Sequence, residues 1–262
     1  MLKNLKYYAG LFDADGSFDI DASIKADGSY YINARATLYQ KDIRPLIELA
    51  NEFDVEVKKY DVVHSVNLRG AKARMFIEQV KRHLVIKGAV AQFVLDNAKT
   101  KVANKEELKA LRKEVKAKRA ERTPEKPFPS RKWMAGYVDG DGCLLSSYRK
   151  KDGVLEFKLT VTSHVTQMQG LELMHKVFGG YITSQNDVRQ WHVTLSVSRG
   201  TRVLSYFHKH LVMKGDQANL ILGCLSSKRH IRRCGATQEG NLEIHRNLQA
   251  MKSPATTESK AP

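Results

Sequence analysis

Residues 8–16 read YAGLFDADG, and residues 134–142 read MAGYVDGDG. A second pair of strings follows the first: residues 83–95 read HLVIKGAVAQFVL and residues 210–222 read HLVMKGDQANLIL. The two pairs stand 126 and 127 residues apart, so both belong to one duplication of nearly constant frame. Two homologous halves within one chain are the simplest organisation that produces this spacing.

Working outward from the first string, Ser17 to Lys25 alternates strictly. Phe18, Ile20, Ala22 and Ile24 fall on one side and Ser17, Asp19, Asp21, Ser23 and Lys25 on the other, the pattern of a half-buried strand. The turn Ala26-Asp27-Gly28-Ser29 leads into a second strand from Tyr30 to Tyr39, giving a hairpin. Asp42 starts a helix with Leu46, Ile47, Leu49, Ala50 and Phe53 on its apolar face, a less regular strand pair spans 55–69, and helices follow from Ala71. The second half repeats the order, with a helix to Asp139, strands at 142–149 and 154–162, a helix at 167–178, strands at 180–186 and 189–198, and helices containing His210 and Leu220. Each half therefore reads αββαββα, an α+β class. The halves are expected at 1–122 and 131–252, joined by a proline-stiffened linker at 123–130 and followed by a disordered tail at 253–262. A charged helix is expected from Lys105 to Arg122.

Composition narrows the partner. Forty-four Lys and Arg against 28 Asp and Glu leave a formal charge of +16, and the pI near 9.7 is that of a polyanion binder. A polyanion is nucleic acid or an acidic membrane surface; no apolar run approaches the roughly 20 residues that cross a bilayer, and nucleic acid is the expected partner. The start MLKNLKYYAG is too polar for a secretion signal, so an intracellular protein is expected, with organelle, bacterial and phage origins left open. Cys143, Cys224 and Cys234 form no CxxC pair and are expected to be reduced thiols.

The paired motifs carry the chemistry. Ala9-Gly10 and Ala135-Gly136 put small residues on one face of each helix, which lets two backbones approach at a pseudo-twofold axis. Both helices must stop at Ala14-Asp15-Gly16 and Gly140-Asp141-Gly142, so two helix C-termini, each with an aspartate, would lie side by side. An acid at the negative pole of a helix costs about 0.3–1 kcal/mol, mutual repulsion adds to it, and a divalent cation would relieve both. The alternative is that Asp13 and Asp139 cap helices while Asp15 and Asp141 sit in solvated turns. An EF-hand is excluded, because the twelfth position counted from Asp13 is Ile24 and from Asp139 is Lys150.

Both motifs resemble those of the LAGLIDADG homing endonucleases, in the single-chain, two-motif form. The likeness is carried by Ala9, Gly10, Leu11, Asp13, Ala14, Asp15 and Gly16, and by Ala135, Gly136, Asp139, Asp141 and Gly142. In element order it extends from residue 1 to about 230. The resemblance implies a monomer with an internal pseudo-dimer, its two curved antiparallel sheets forming a saddle for double-stranded DNA. It implies that Asp15 and Asp141 ligate Mg²⁺, or Mn²⁺ or Ca²⁺ in the same place, helped by the carbonyls of Ala14 and Gly140, while Asp13 and Asp139 are structural. It also implies supporting roles for Gln40, Arg44 and Lys87 in the first half. In the second half Lys214 matches Lys87, Ser163 keeps the strand phase of Gln40 beside His164, and Gln167 or Gln169 would replace Arg44. A lysine beside a scissile phosphate can stabilise developing charge; the alternative is a lysine that caps the preceding helix.

Outward strand residues form the expected reading surface for base edges in the major groove. These are Asp19, Asp21, Ser23, Tyr31, Asn33, Arg35, Thr37, Ser65, Asn67 and Arg69 in the first half. In the second they are Ser147, Arg149, Glu156, Lys158, Thr160, Thr162, His192, Thr194 and Ser196. The two sets differ, so the target is expected to be long and asymmetric or pseudo-palindromic. The basic runs Lys109–Arg122 and Lys228–Arg233 would contact phosphates. The expected activity is site-specific, metal-dependent hydrolysis of DNA phosphodiesters. The alternatives are an RNA maturase that assists intron splicing, which would add intron RNA as a partner, and a DNA-binding protein that does not cut.

Overall fold

From Tyr7 to Asp13 every residue of helix α1 (Leu5–Ala14) is buried, and the same holds from Trp133 to Asp139 in α6 (Arg131–Asp141). Each helix is enclosed because it packs against the other as well as against its own sheet. Gly10 and Gly136 allow this. A Cβ on Gly10 would stand 1.9 Å from the Trp133 carbonyl oxygen, and one on Gly136 would stand 2.0 Å from that of Tyr7. Backbone meets backbone at these two positions.

The computed structural model describes residues 2, 4–123, 129–151, 153–226 and 238–252. Most of the expected linker, the whole of the expected tail, Cys234 and the basic run 228–233 lie outside the described residues. After α1 come β1 (Gly16–Ile24), β2 (Tyr30–Gln40), α2 (Arg44–Phe53), β3 (Lys58–Tyr60), β4 (Val63–Arg69) and α3 (Gly70–Val80). A 3₁₀ turn leads to α4 (Gly88–Asn97), a short β5 (Lys101–Val102) and α5 (Lys105–Ala120). The second half runs α6, β6 (Gly142–Arg149), β7 (Val154–His164), α7 (Gln169–Phe178), β8 (Tyr181–Gln185), β9 (Val188–Thr194), α8 (Val197–Phe207), α9 (Gly215–Ser226) and α10 (Gln238–Ala250).

The two antiparallel sheets have the same topology, β1-β2-β4-β3 and β6-β7-β9-β8, with β5 added beside the start of β2. The duplicated α+β architecture is therefore present, with extra helices after each αββαββα set. On each sheet one face is apolar. Phe18, Ile20, Ile32, Ala34, Ala36, Leu38, Val66 and Leu68 join a core that continues through α1 and α6 into Leu144, Phe157, Leu159, Val161, Trp191 and Val193. The opposite face carries the polar set of the alternation.

One boundary departs from the expectation. The strand expected at 189–198 ends at Thr194, and Ser196 is the residue before the first turn of α8. Ser196 is thus off the sheet and leaves the reading surface. Leu195 donates its N–H to the Phe157 carbonyl and seats its side chain in the core, after which the chain turns into the helix. Among the described residues no helix is long and apolar enough to cross a membrane, and neither Cys143 nor Cys224 forms a disulfide.

Candidate active site and reading face

The last turns of α1 and α6 meet at Ala14, Asp15 and Gly140. A Cβ on Gly140 would lie 2.4 Å from the Ala14 Cβ and 3.2 Å from Asp15 Oδ2, so the Asp15 carboxylate rests against the backbone of the opposite motif. Asp141 stands close enough that its pKa is pushed up to about 7, chiefly by burial and next by the charge of Asp15. The two acids share one cleft, although 126 residues separate them along the chain.

The buried acids of the motifs have a different task. Asp13 accepts the backbone N–H groups of Val85, Ile86 and Lys87 at 2.7, 3.1 and 2.8 Å, and the indole N–H of Trp133 at 2.9 Å. Asp139 repeats this with Val212, Met213 and Lys214 at 2.7, 3.1 and 3.0 Å, and with the Tyr7 hydroxyl at 2.8 Å. Each carboxylate therefore ties its own HLVxKG loop to the motif helix and also binds a side chain of the other half. Burial raises the pKa of Asp13, and the backbone N–H bonds oppose the rise.

Once the loop is tied down, its lysine is aimed at a helix end. Lys87 Nζ donates to the carbonyls of Phe12, Ala14 and Gly16 at 2.9, 2.8 and 2.7 Å, and Lys214 Nζ donates to that of Asp139. Both lysines cap helices, but these are the motif helices α1 and α6 and not the helix that precedes each lysine, as the alternative reading held. Burial lowers the pKa of each, opposed by the nearby acids. For Lys214 the charge of Asp15 weighs more than that of Asp141, and for Lys87 the order is reversed. Each lysine thus lies in the field of both motif acids. The helix C-termini are less bare than the sequence suggested, since the Ala14 carbonyl, one of the expected metal helpers, already accepts from Lys87.

Gln40 donates to Asp15 Oδ2 at 2.6 Å. Arg44 forms a two-pronged bond with Asp42 and reaches across to the Met213 carbonyl at 3.1 Å, next to Lys214. Gln40, Asp42, Gly140, Cys143 and Lys214 line one cavity of about 490 Å³. In the second half the register fixes the counterparts. Leu38 pairs with Gly16 and Val161 with Gly142, so two residues further on Ser163 occupies the place of Gln40. Its hydroxyl donates to the Gln167 carbonyl at 2.9 Å. Gln169, first in α7 as Arg44 is in α2, donates to the Thr123 carbonyl at 2.6 Å. Among the described residues no group of three or more His, Cys, Asp or Glu forms a cage. Two carboxylates with nearby carbonyls suit a hard cation that keeps most of its water, as Mg²⁺ does.

Around the centre, strand register places the expected reading residues on one face. Asp19 pairs with Arg35, Asp21 with Asn33, Ser23 with Tyr31, Arg35 with Arg69 and Thr37 with Asn67. Across the second sheet Ser147 pairs with Glu156, Arg149 with Val154, Lys158 with Thr194 and Thr160 with His192. Several are already engaged: Asp19 holds Arg35 and Arg119, Asp21 holds Arg69, and Arg149 lies beside Glu156. Thr37, Ser65 and Thr160 are only 7, 3 and 8% exposed, so they lie within the outer face without projecting from it. Within the run 109–122, Lys109, Lys118 and Arg122 pair with Glu106, Glu121 and Glu172.

Sequence reasoning passed over residues in the same phase. Tyr39 and Tyr60 are 52 and 51% exposed, with ring centroids 6.4 Å apart, and Tyr181 stacks on His192 at 5.1 Å. Gln190 donates to Thr162 from the position opposite it. Continuing the alternation by one more pair would have found Tyr39 and Gln190.

No family model matches this chain, and no curated protein matches it in sequence. Solved structures match it in fold. The LAGLIDADG homing endonuclease I-GzeII in complex with its DNA target superposes with a TM-score of 0.72 at 16% identity, over 95% of this chain and 99% of that one. I-SmaMI bound to uncleaved DNA in the presence of calcium ions gives 0.65 at 17% identity, over 94 and 98%. The LAGLIDADG meganuclease I-AabMI bound to uncleaved DNA gives 0.66 at 16%, again over 94 and 98%.

Proposed function

From a chain that has the fold of the single-chain LAGLIDADG homing endonucleases, we propose a site-specific, Mg²⁺-dependent endonuclease acting on double-stranded DNA as a monomer. The observation that carries the proposal is the meeting of Asp15 and Asp141 in one cleft between two sheets whose outer faces are polar. A divalent cation held by Asp15 or Asp141, with a carbonyl of the facing motif, would supply Lewis acidity to a phosphodiester and a water.

The chain itself orients and neutralises. Asp13 and Asp139 fix the two loops so that Lys87 and Lys214 reach the helix ends that carry the two acids. There they offset negative charge that gathers on a phosphate during hydrolysis. Gln40 holds one oxygen of Asp15 and so sets its orientation. The formal charge of +16 favours a phosphate backbone of any sequence, while unlike side chains on the two sheets read unlike half-sites.

Selection of cut duplexes from a randomised library tests the proposal. One long recurrent sequence should be recovered, and its cleavage should require divalent metal. Asp15→Asn and Asp141→Asn should bind that sequence and leave it uncut. Undiminished linear product from either variant would remove the two acids from the mechanism, and preferred retention of folded intron RNA over duplex DNA would favour a maturase.

A further inference from the structure

Helix α5 carries one cation where its pattern calls for an apolar side chain. Leu108 and Val115 are buried and Leu111 packs against the core, and the next step of that stripe, four residues on, is Arg119. Lys109, Lys118 and Arg122 pair with acids at exposed sites, but Arg119 turns to the sheet. Its guanidinium donates to Asp19 Oδ2 at 2.8 Å on the edge strand β1, where Arg35 approaches the same oxygen at 3.3 Å. Lys87 is close by. Its amine donates to the carbonyl of Gly16, three residues before Asp19, and its pKa is lowered first by burial and further by the charge of Arg119. Lys87, Arg35 and Arg119 thus set three positive charges against the single carboxylate of Asp19. Like charges held together repel, and an anion lodged among them relieves the repulsion.

The same end of α5 meets the second half of the chain. Arg122 pairs with Glu172 of α7 at 2.6 Å, and the Thr123 carbonyl accepts from Gln169. Gln169 stands first in α7 as Arg44 stands first in α2, so α7 begins without the cation that α2 has.

We propose that Arg119 is a phosphate-binding residue of the cleft, holding a DNA backbone phosphate beside Lys87 and supplying from α5 the charge that α7 lacks, while Asp19 aims it. The inference rests on the endonuclease reading above and adds one contact to it. A guanidinium presents five donors in a plane, so Arg119 keeps Asp19 on one nitrogen and offers others to phosphate oxygens. The pairing also accounts for an acid on a face that meets a polyanion, because two guanidiniums neutralise Asp19.

The full chain on its recovered target duplex tests this. Affinity is read by anisotropy over a salt series with calcium in place of magnesium, and cleavage in single turnover at saturating protein with magnesium. Arg119→Met should flatten the slope of log affinity against log salt by about one unit and slow cleavage by about tenfold or more. Its melting temperature should change little, since a partly exposed ion pair contributes little to stability. Arg119→Lys should restore the slope and only part of the rate. Asp19→Asn should keep the slope and slow cleavage, because the cation remains and is no longer aimed. Lys105→Met removes the same charge about 20 Å away at the start of α5 and should leave the cleavage rate unchanged. Should Arg119→Met not fold, Arg119→Gln, whose amide can still donate to Asp19, is read in the same way. Wild-type slope and rate in the Arg119 variant, or a loss confined to its melting temperature, would reduce Arg119 to an ion-pair partner and overturn the inference while the endonuclease stands. A flattened slope at full cleavage rate would place the phosphate away from the cleft and overturn it likewise. A library from which wild type cuts no duplex would instead overturn the endonuclease reading, and this contact with it.

Discussion

Replacing Gly10 by alanine tests whether the interface between α1 and α6 sets the geometry of the acids at its end. The added methyl carbon would lie 1.9 Å from the Trp133 carbonyl oxygen. A carbon needs about 3.3 Å from such an oxygen, so the helices must part by about 1.4 Å at that point. Neither group can swing aside, since one is the new Cβ and the other is backbone. Overpacking of this kind costs about 3 kcal/mol, which in a chain of this size lowers the melting temperature by about 6–12 °C. The same displacement lengthens the Trp133–Asp13 and Tyr7–Asp139 bonds, which cross between the halves. Below the melting range the surviving folded protein should still cut about a hundredfold more slowly, because a shift of about 1 Å at a reacting centre costs that much. Gly223→Ala is the control: it lies inside α9 with nothing within 4 Å, and should stabilise by about 0.5–1 kcal/mol through helix propensity alone. Differential scanning calorimetry and single-turnover cleavage on both variants decide the matter. A Gly10→Ala protein that melts and cuts like wild type would refute the close approach.

The other expectations concern single groups. Lys87→Met should remove a cation that three carbonyls accept from, lowering stability by about 1–3 kcal/mol in urea denaturation and depressing cleavage even where the protein is fully folded. Trp133→Phe and Tyr7→Phe should each cost about 1–3 kcal/mol, and their double mutant should be close to additive, since they bind separate acids. Mg²⁺ should raise the melting temperature of wild type and leave that of an Asp15→Asn, Asp141→Asn double variant unchanged, by calorimetry with and without chelator. Truncating Tyr39 or Tyr60 to alanine should relax base preference at a few adjacent positions of the recovered target with little change in salt dependence, whereas loss of a phosphate-binding lysine should flatten the salt slope by about one unit.

What was legible in the sequence was whatever repeats or alternates. The strand from Ser17 onward, the hairpin after it and the two motif helices follow from periods of two and from a string that occurs twice, and the register bears out their phase. The overshoot at Ser196 has the same origin, because Thr194-Leu195-Ser196 continues the alternation past the last ladder pair, and only tertiary packing ends the strand. Helix α10 was invisible for the opposite reason. It is mostly polar, and it is seated by Leu248 in the core, by Asn241 bonding to the Gly153 carbonyl and by His245 meeting Ser146. Side-chain bonds between the halves leave no local trace either, unlike the small residues that announce the backbone approach: Tyr7 finds Asp139 across 132 residues and Trp133 finds Asp13 across 120.

The repeated HLVxKG string couples a buried acid to a lysine at the helix end. A buried carboxylate left without donors would cost several kcal/mol, and here three consecutive backbone N–H groups of the loop satisfy it. Those same bonds fix the backbone of Lys87, whose amine then meets the carbonyls at the end of α1. Folding of the loop and placement of the cation are thus one event, performed twice about the pseudo-twofold axis with Asp139 and Lys214. The residues free to diverge are those outside this circuit, namely Gln40 against Ser163 and Arg44 against Gln169. Differences between the halves can therefore accumulate around the two motif acids without loosening the scaffold that holds them.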